Sequence, residues 1–206
     1  MMKTETCIQS QFFGEIDQAK KLGLSVIIGV WVNGKTYWMK PGADKLILEE
    51  GITLLLQQNI VEDKMRLYNI ELSNQSKCPI STKLLIQHRY HQLDNSHLSF
   101  ISPSENVVFH LAGDLVHLAN GNIDDGKIKR VCTVQPLWNI YSNKIWDCPE
   151  SGTIQYRPMA KGQVASLFIY DFKSIGKGTY RGKSWVISSE NETELIKLNE
   201  ALLKTH

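Results

Sequence analysis

Along Met65–Ser73 the chain alternates, with Tyr68, Ile70 and Leu72 on one side and Leu67, Asn69, Glu71 and Ser73 on the other. A period of two marks a strand with one buried face. The run Asn74-Gln75-Ser76-Lys77-Cys78-Pro79 ends it, because Asn and Ser side chains bond their own backbone and Pro79 offers no ladder donor. A second strand is read from Thr82 to Tyr90. It carries Thr82, Leu84, Ile86, His88 and Tyr90 on one face and Lys83, Gln87 and Arg89, then His91, on the other. These two strands are expected to lie side by side.

A hairpin follows. With Gly113-Asp114 as a two-residue turn, Leu111 faces Val116, Phe109 faces Leu118 and His110 faces His117. That register puts the apolar pairs on one face and both histidines on the other, and a slip of one residue would mix them.

The same pattern extends in both directions. Gln11–Leu22 reads as a short helix stopped by Gly23. Leu24–Val32 and Lys35–Met39 are strands joined by Asn33-Gly34, a pair that accepts positive φ at both turn positions. Leu46–Leu48 and Ile52–Ile60 are further strands, the second so apolar that burial on both faces is expected. Asn120-Gly121 and Asp124-Asp125-Gly126 read as two turns, followed by a strand at Lys127–Val134. Residues Pro136–Pro149, with Trp138, Tyr141 and Trp146, read as a long aromatic loop around one short strand.

Thr153–Arg157 and Gln163–Tyr170 are read as strands, and Gly176, Gly178 and Gly182 as a flexible passage to a short strand at Ser184–Ile187. Ser189-Glu190-Asn191-Glu192 then opens an amphipathic helix with Leu195, Leu198 and Leu202 on one stripe. The predicted fold is mainly β, a β-sandwich or jelly-roll-like arrangement of about eleven strands, with a short N-terminal helix and a C-terminal amphipathic helix. Residues 1–62 are expected to form an N-terminal helix and β-hairpin layer, packed as one unit with a β-sandwich and helix at 63–206.

Composition narrows the function classes. The 206 residues are 42% hydrophobic and 21% charged, with 23 basic and 21 acidic residues interspersed for a net charge of +2. No basic stripe of the kind that reads a phosphate backbone is present, so nucleic acid is not the expected partner. No apolar run approaches the length of a membrane helix, and residues 1–23 lack the pattern of a secretion signal. Intracellular synthesis is expected, with the product in the cytoplasm or incorporated into a particle. Cys7, Cys78, Cys132 and Cys148 show no C-x-x-C spacing and read as thiols, although Cys132 and Cys148 bracket a loop that a disulfide could close.

Gly29-Val30-Trp31-Val32-Asn33-Gly34-Lys35-Thr36 meets the P-loop pattern letter for letter. A phosphate cradle needs a loop of small residues and a helix opened by the Lys-Thr pair. The loop positions here are Val, Trp and Val, and Pro41-Gly42 follows closely, so a hairpin is predicted, with Val32 facing Lys35, Trp31 facing Thr36 and Val30 facing Tyr37, and nucleotide binding is not.

Five histidines, His88, His91, His97, His110 and His117, fall on neighbouring strands, and neutral imidazoles in such a cluster suit a divalent metal. The candidate ligands are His110, His117 and one of His88 or His91. The cluster is similar to a cupin metal site but lacks that family's H-x-H with a downstream Glu, and no cupin residue is carried over. For His88, beside Leu84 and Ile86, a hydrogen-bonded core role is the plainer expectation.

No G-x-S-x-G motif, activated cysteine or paired carboxylate is visible, so no catalytic residue is nominated and no cofactor beyond that metal is implied. Trp138, Tyr141 and Trp146 are the candidate surface for a ligand or partner. The leading expectation is a non-enzymatic β-sandwich protein acting by self-association, as a homo-oligomer or with a partner protein, or as a component of a larger particle such as a spore coat or virion. A cupin-like metal-dependent enzyme or small-molecule binder, and a carbohydrate-binding module stacking sugars on Trp138 and Trp146, are the alternatives.

Overall fold

The computed structural model describes residues 23–62, 64–90 and 96–204. Two antiparallel sheets face each other across the core, as the alternating pattern requires. The smaller contains β10 (Arg130–Pro136), β14 (Val164–Ile175), β6 (Ile80–Tyr90), β1 (Leu24–Val32) and β2 (Lys35–Trp38), in that spatial order. The larger runs β13 (Met159–Lys161), β7 (Leu98–Ser102), β8 (Val107–Ala112), β9 (Leu115–Ile123), β15 (Gly178–Ser189), β5 (Met65–Asn74), β4 (Ile52–Glu62) and β3 (Lys45–Ile47). A third, two-stranded sheet pairs β11 (Trp146–Cys148) with β12 (Thr153–Ile154). The sandwich-like, mainly β fold expected from the sequence is thus present, with helices at Leu137–Tyr141 (α1) and Glu192–Lys204 (α2).

The main core lies between the large sheets, where Ile28, Val30, Leu84, Ile86 and Phe168 meet Ile52, Leu54, Ile70, Leu72 and Ile123. Strands from both halves of the sequence share each sheet: β6 pairs with β14, and β5 with β15. Both predicted hairpin registers are observed. Trp31 faces Thr36 and Val30 faces Tyr37 across a turn with Asn33 at φ 49° and Gly34 at φ 82°. The P-loop letters are therefore two strands and a tight turn, with no helix after Lys35-Thr36. In the second hairpin Phe109 faces Leu118 and His110 faces His117, with Gly113 at φ 62°.

Several expectations are corrected. β5 and β6 are not side by side: β5 pairs with β4 and β15 in one sheet, and β6 with β1 and β14 in the other. The chain crosses between layers at Asn74–Pro79, and Asn74 anchors the crossing by donating to the Ile175 carbonyl at 2.9 Å. β4 buries Ile52 and Leu54 but exposes Gln57 and Gln58, because only the short β3 lies beyond it. Asn120-Gly121 is no turn, since both residues lie within β9.

Gly178 and Gly182 likewise belong to the long β15. A Cβ at Gly182 would collide with the Asn122 carbonyl and with Ile123, so this glycine permits close packing and is not a sign of flexibility. The strand expected at Thr153–Arg157 stops at Ile154, and residues beyond it run along β10, where Val134 N–H donates to the Arg157 carbonyl at 2.8 Å.

α2 is capped by Asn191, whose Oδ1 accepts from the N–H groups of Thr193 (2.9 Å) and Glu194 (3.4 Å). The cap therefore falls two residues after the Ser189 of the predicted motif. Leu195, Leu198 and Leu202 form the expected stripe and pack on Trp185, Ile187, Phe109 and Leu118, on the outer face of the larger sheet. The predicted helix at Gln11–Leu22 lies outside the described residues, as do Cys7 and His91. No helix is long and apolar enough to cross a membrane among the described residues.

Candidate functional site

The inner face of β8 and β9 carries His110 and His117, which the hairpin register turns towards the smaller sheet. On the opposite face α2 covers Phe109 and Leu118, whereas Leu111 near the turn stays 37% exposed. From β6, His88 projects into the same layer.

The three candidate metal ligands do not meet at one point. His110 Nε2 lies 2.9 Å from Ser166 Oγ, and the same hydroxyl lies 3.4 Å from His88 Nδ1. His88 Nε2 is 2.9 Å from Ser184 Oγ, which donates to the Asn120 carbonyl at 2.9 Å. At the other end, His97 Nε2 is 3.0 Å from His110 Nδ1. His117 stands apart, its Nδ1 2.7 Å from Ser188 Oγ. Among the described residues no group of three His, Cys, Asp or Glu side chains is placed to hold a metal ion.

The far end of this chain fixes its direction. A carbonyl only accepts, so Ser184 spends its proton on Asn120 and accepts from His88 Nε2–H. A neutral His88 then has a bare Nδ1 and accepts from Ser166, which in turn accepts from His110 Nε2–H. His110 Nδ1 accordingly accepts from His97. The assignment follows from the hydrogen-bond network, and it gives a one-way series from His97 to the Asn120 carbonyl in which His88 and His110 are neutral.

Electrostatics agree with that assignment. Burial, reinforced by the Arg130 charge, pushes the His88 imidazole down to about 3. Burial also holds His110 well below its ordinary value, with His97, His88 and His117 adding repulsion. His117 is pushed down to about 4 by burial, then by His97 and Arg66. Arg130 donates to Asn120 Oδ1 at 2.5 Å and to the Gly121 carbonyl at 2.8 Å, which ties the series to a second network. In that network Asn199 Oδ1, on α2, accepts from Asn120 Nδ2 (2.8 Å) and Trp185 Nε1 (3.0 Å).

Ser166, Ser184, Asn199 and Arg130 are not singled out by any motif in the sequence, and Asn120 stands out only as part of the turn expected at Asn120-Gly121. The available signal is Ser166 on the inward parity of an apolar strand, between Val164 and Phe168, where a small polar residue needs a buried partner. The hydroxyls of Ser166 and Ser184 are wholly buried.

The aromatic segment divides. Trp146 is only 4% exposed; its ring packs with Trp31 in a second apolar cluster, and its Nε1 donates to Thr36 Oγ1 at 2.9 Å. It is a core anchor, not the surface platform expected, because residues 137–154 fold back as a layer on the outer face of the smaller sheet. Trp138 and Tyr141, on α1, are 69% and 62% exposed. Ile140 anchors that helix in the cluster beneath, and Arg89 donates to the Tyr141 hydroxyl at 2.5 Å. Tyr156 and Met159 are exposed on the segment that follows. Cys132 and Cys148, weighed as a disulfide, are both free. No family model and no curated protein sequence matches this chain.

Proposed function

We propose that this protein is non-enzymatic and works by association, with copies of itself or as a component of a larger particle of the spore-coat or virion kind. The observation that carries this reading is the outward presentation of Trp138 and Tyr141 on a short helix fastened from below. Large aromatic side chains held rigid in water are the type that anchors protein interfaces, because their burial removes much apolar area at little entropic cost. Tyr156 and Met159 extend the apolar character of the same segment.

Side-chain contact is favoured over strand addition. Among the described residues, three of the four edge strands of the two large sheets are β2, with four residues, and β3 and β13, with three each. The fourth, β10, is partly lined by residues 155–158. Short or lined edges are poor templates for another chain.

Light scattering over a concentration series, with and without reductant, tests the proposal. A defined oligomer that Trp138→Ala with Tyr141→Ala dissociates is expected, in reductant as well as without it. A monomer at every concentration, or an oligomer indifferent to both replacements, would overturn it.

A further inference from the structure

α2 covers only one end of the larger sheet's outer face. Beyond it the same face forms, among the described residues, an open trough of about 720 Å³, within the roughly 300–1,000 Å³ range of small-ligand sites. Strand register sets its lining. One row across four strands is Gln57, Asn69, Lys183 and Asn122, and the next is Leu55, Glu71 and Arg181. Neighbouring strands stand about 4.8 Å apart, so the first row offers a line of hydrogen-bonding groups at regular spacing, and the second sets an ion pair beside an apolar side chain.

The chemistry of this lining is specific in two respects. Asp44 and Glu71 balance Arg181 and Lys183, and Arg181 Nε donates to Glu71 Oε2 at 3.0 Å, so the trough has no net charge with which to select an ion. Planar amides and the guanidinium–carboxylate pair supply donors and acceptors side by side, the complement of adjacent hydroxyls that each donate and accept. Half-buried Leu55 adds an apolar contact for the C–H face of a ring.

We infer that this trough binds a neutral, polyhydroxylated ligand, a short oligosaccharide. The site is separate from Trp138 and Tyr141, which lie over the other sheet, so the inference stands independently of the association reading.

Isothermal titration of the full chain tests it, with neutral tri- to hexasaccharides of glucose, xylose, mannose and N-acetylglucosamine, beside a sulfated heparin oligosaccharide. Binding of at least one neutral sugar is expected, weakened about tenfold by Asn69→Ala and by Arg181→Ala. Trp138→Ala should leave it unchanged. Both trough positions are on the outer face, and circular dichroism of each variant checks that the fold is kept. Absence of binding by every neutral sugar, binding indifferent to both trough replacements, or preference for the sulfated ligand would each overturn the inference.

Discussion

Acidification from pH 7.5 to 5.5 is expected to destabilise the fold by about 3 kcal/mol through His88 and His117 alone. In the native protein these imidazoles are held down to about 3 and about 4, mainly by burial. In an unfolded chain both titrate near 6.5. The unfolded state therefore takes up protons first. Stability is full above about pH 6.5, falls below it, and levels off only beneath the native values.

The two groups contribute roughly equal halves of that loss over this interval. His110, also held neutral by burial, acts in the same direction. Against an ordinary margin of about 5–15 kcal/mol, the loss is large enough to measure. The exposed Glu194 carboxylate, held low by the Ser189 hydroxyl and then Lys64, loses its contribution only below the ordinary carboxylate range, outside this window.

Protonation also breaks the hydrogen-bond order. A proton on His88 Nδ1 removes the acceptor for Ser166 and brings a second cation towards Arg130. Urea unfolding followed by tryptophan fluorescence at pH 7.5, 6.5 and 5.5 measures the effect, and histidine Cε1–H resonances report protonation directly. An unfolding free energy that does not change across this range, or a native His88 resonance titrating near its unfolded value, would refute the reasoning.

Other outcomes follow from particular contacts. Asn199→Ala leaves the buried Trp185 indole N–H and Asn120 amide without their acceptor, and should cost about 1–3 kcal/mol in chemical denaturation. Gly182→Ala forces a Cβ into the Asn122 carbonyl and Ile123; a loss of about 1–3 kcal/mol is expected, with a lowered thermal midpoint as the readout. Trp146→Ala empties the cluster it shares with Trp31, costing about 3–5 kcal/mol, whereas Trp138→Ala should leave the melting temperature nearly unchanged. If the two tryptophan variants melted alike, the division between core anchor and exposed side chain would be wrong.

Local rules make the two hairpins legible in the amino-acid sequence. Asn33-Gly34 and Gly113-Asp114 each restrict the backbone to a turn, and two residues of turn determine which side chains face each other along the strands. Pairings made at long range are not legible in the same way. Alternation says that Tyr68 and Leu84 are both buried, but not that they belong to opposite sheets, since either sheet can bury an apolar face. Gly121 and Gly182 mislead for a related reason: glycine marks a turn or a close approach, and only the neighbouring strand distinguishes them.

The histidines stand out by their clustering, yet their role depends on Ser166 and Ser184, which arrive from β14 and β15, far along the chain. Trp146 and Trp138 look alike in sequence because a five-residue helix and a three-residue strand carry too little periodicity to separate an inward ring from an outward one.

The positions of β14 and β15 bear on how the chain is made. β14 joins β10 to the strands led by β6, and β15 joins the β13-β7-β8-β9 block to the β5-β4-β3 block. A ribosome must therefore synthesise through Ser189 before both large sheets can be completed, and the earlier strands wait with open edges. With β5 pairing across more than a hundred residues to β15, folding of this topology is slow, in the millisecond-to-second regime of non-local β proteins. A nascent chain stalled before Val164 would display unpaired strands from both sheets, making premature termination an aggregation hazard and not a source of a smaller folded domain.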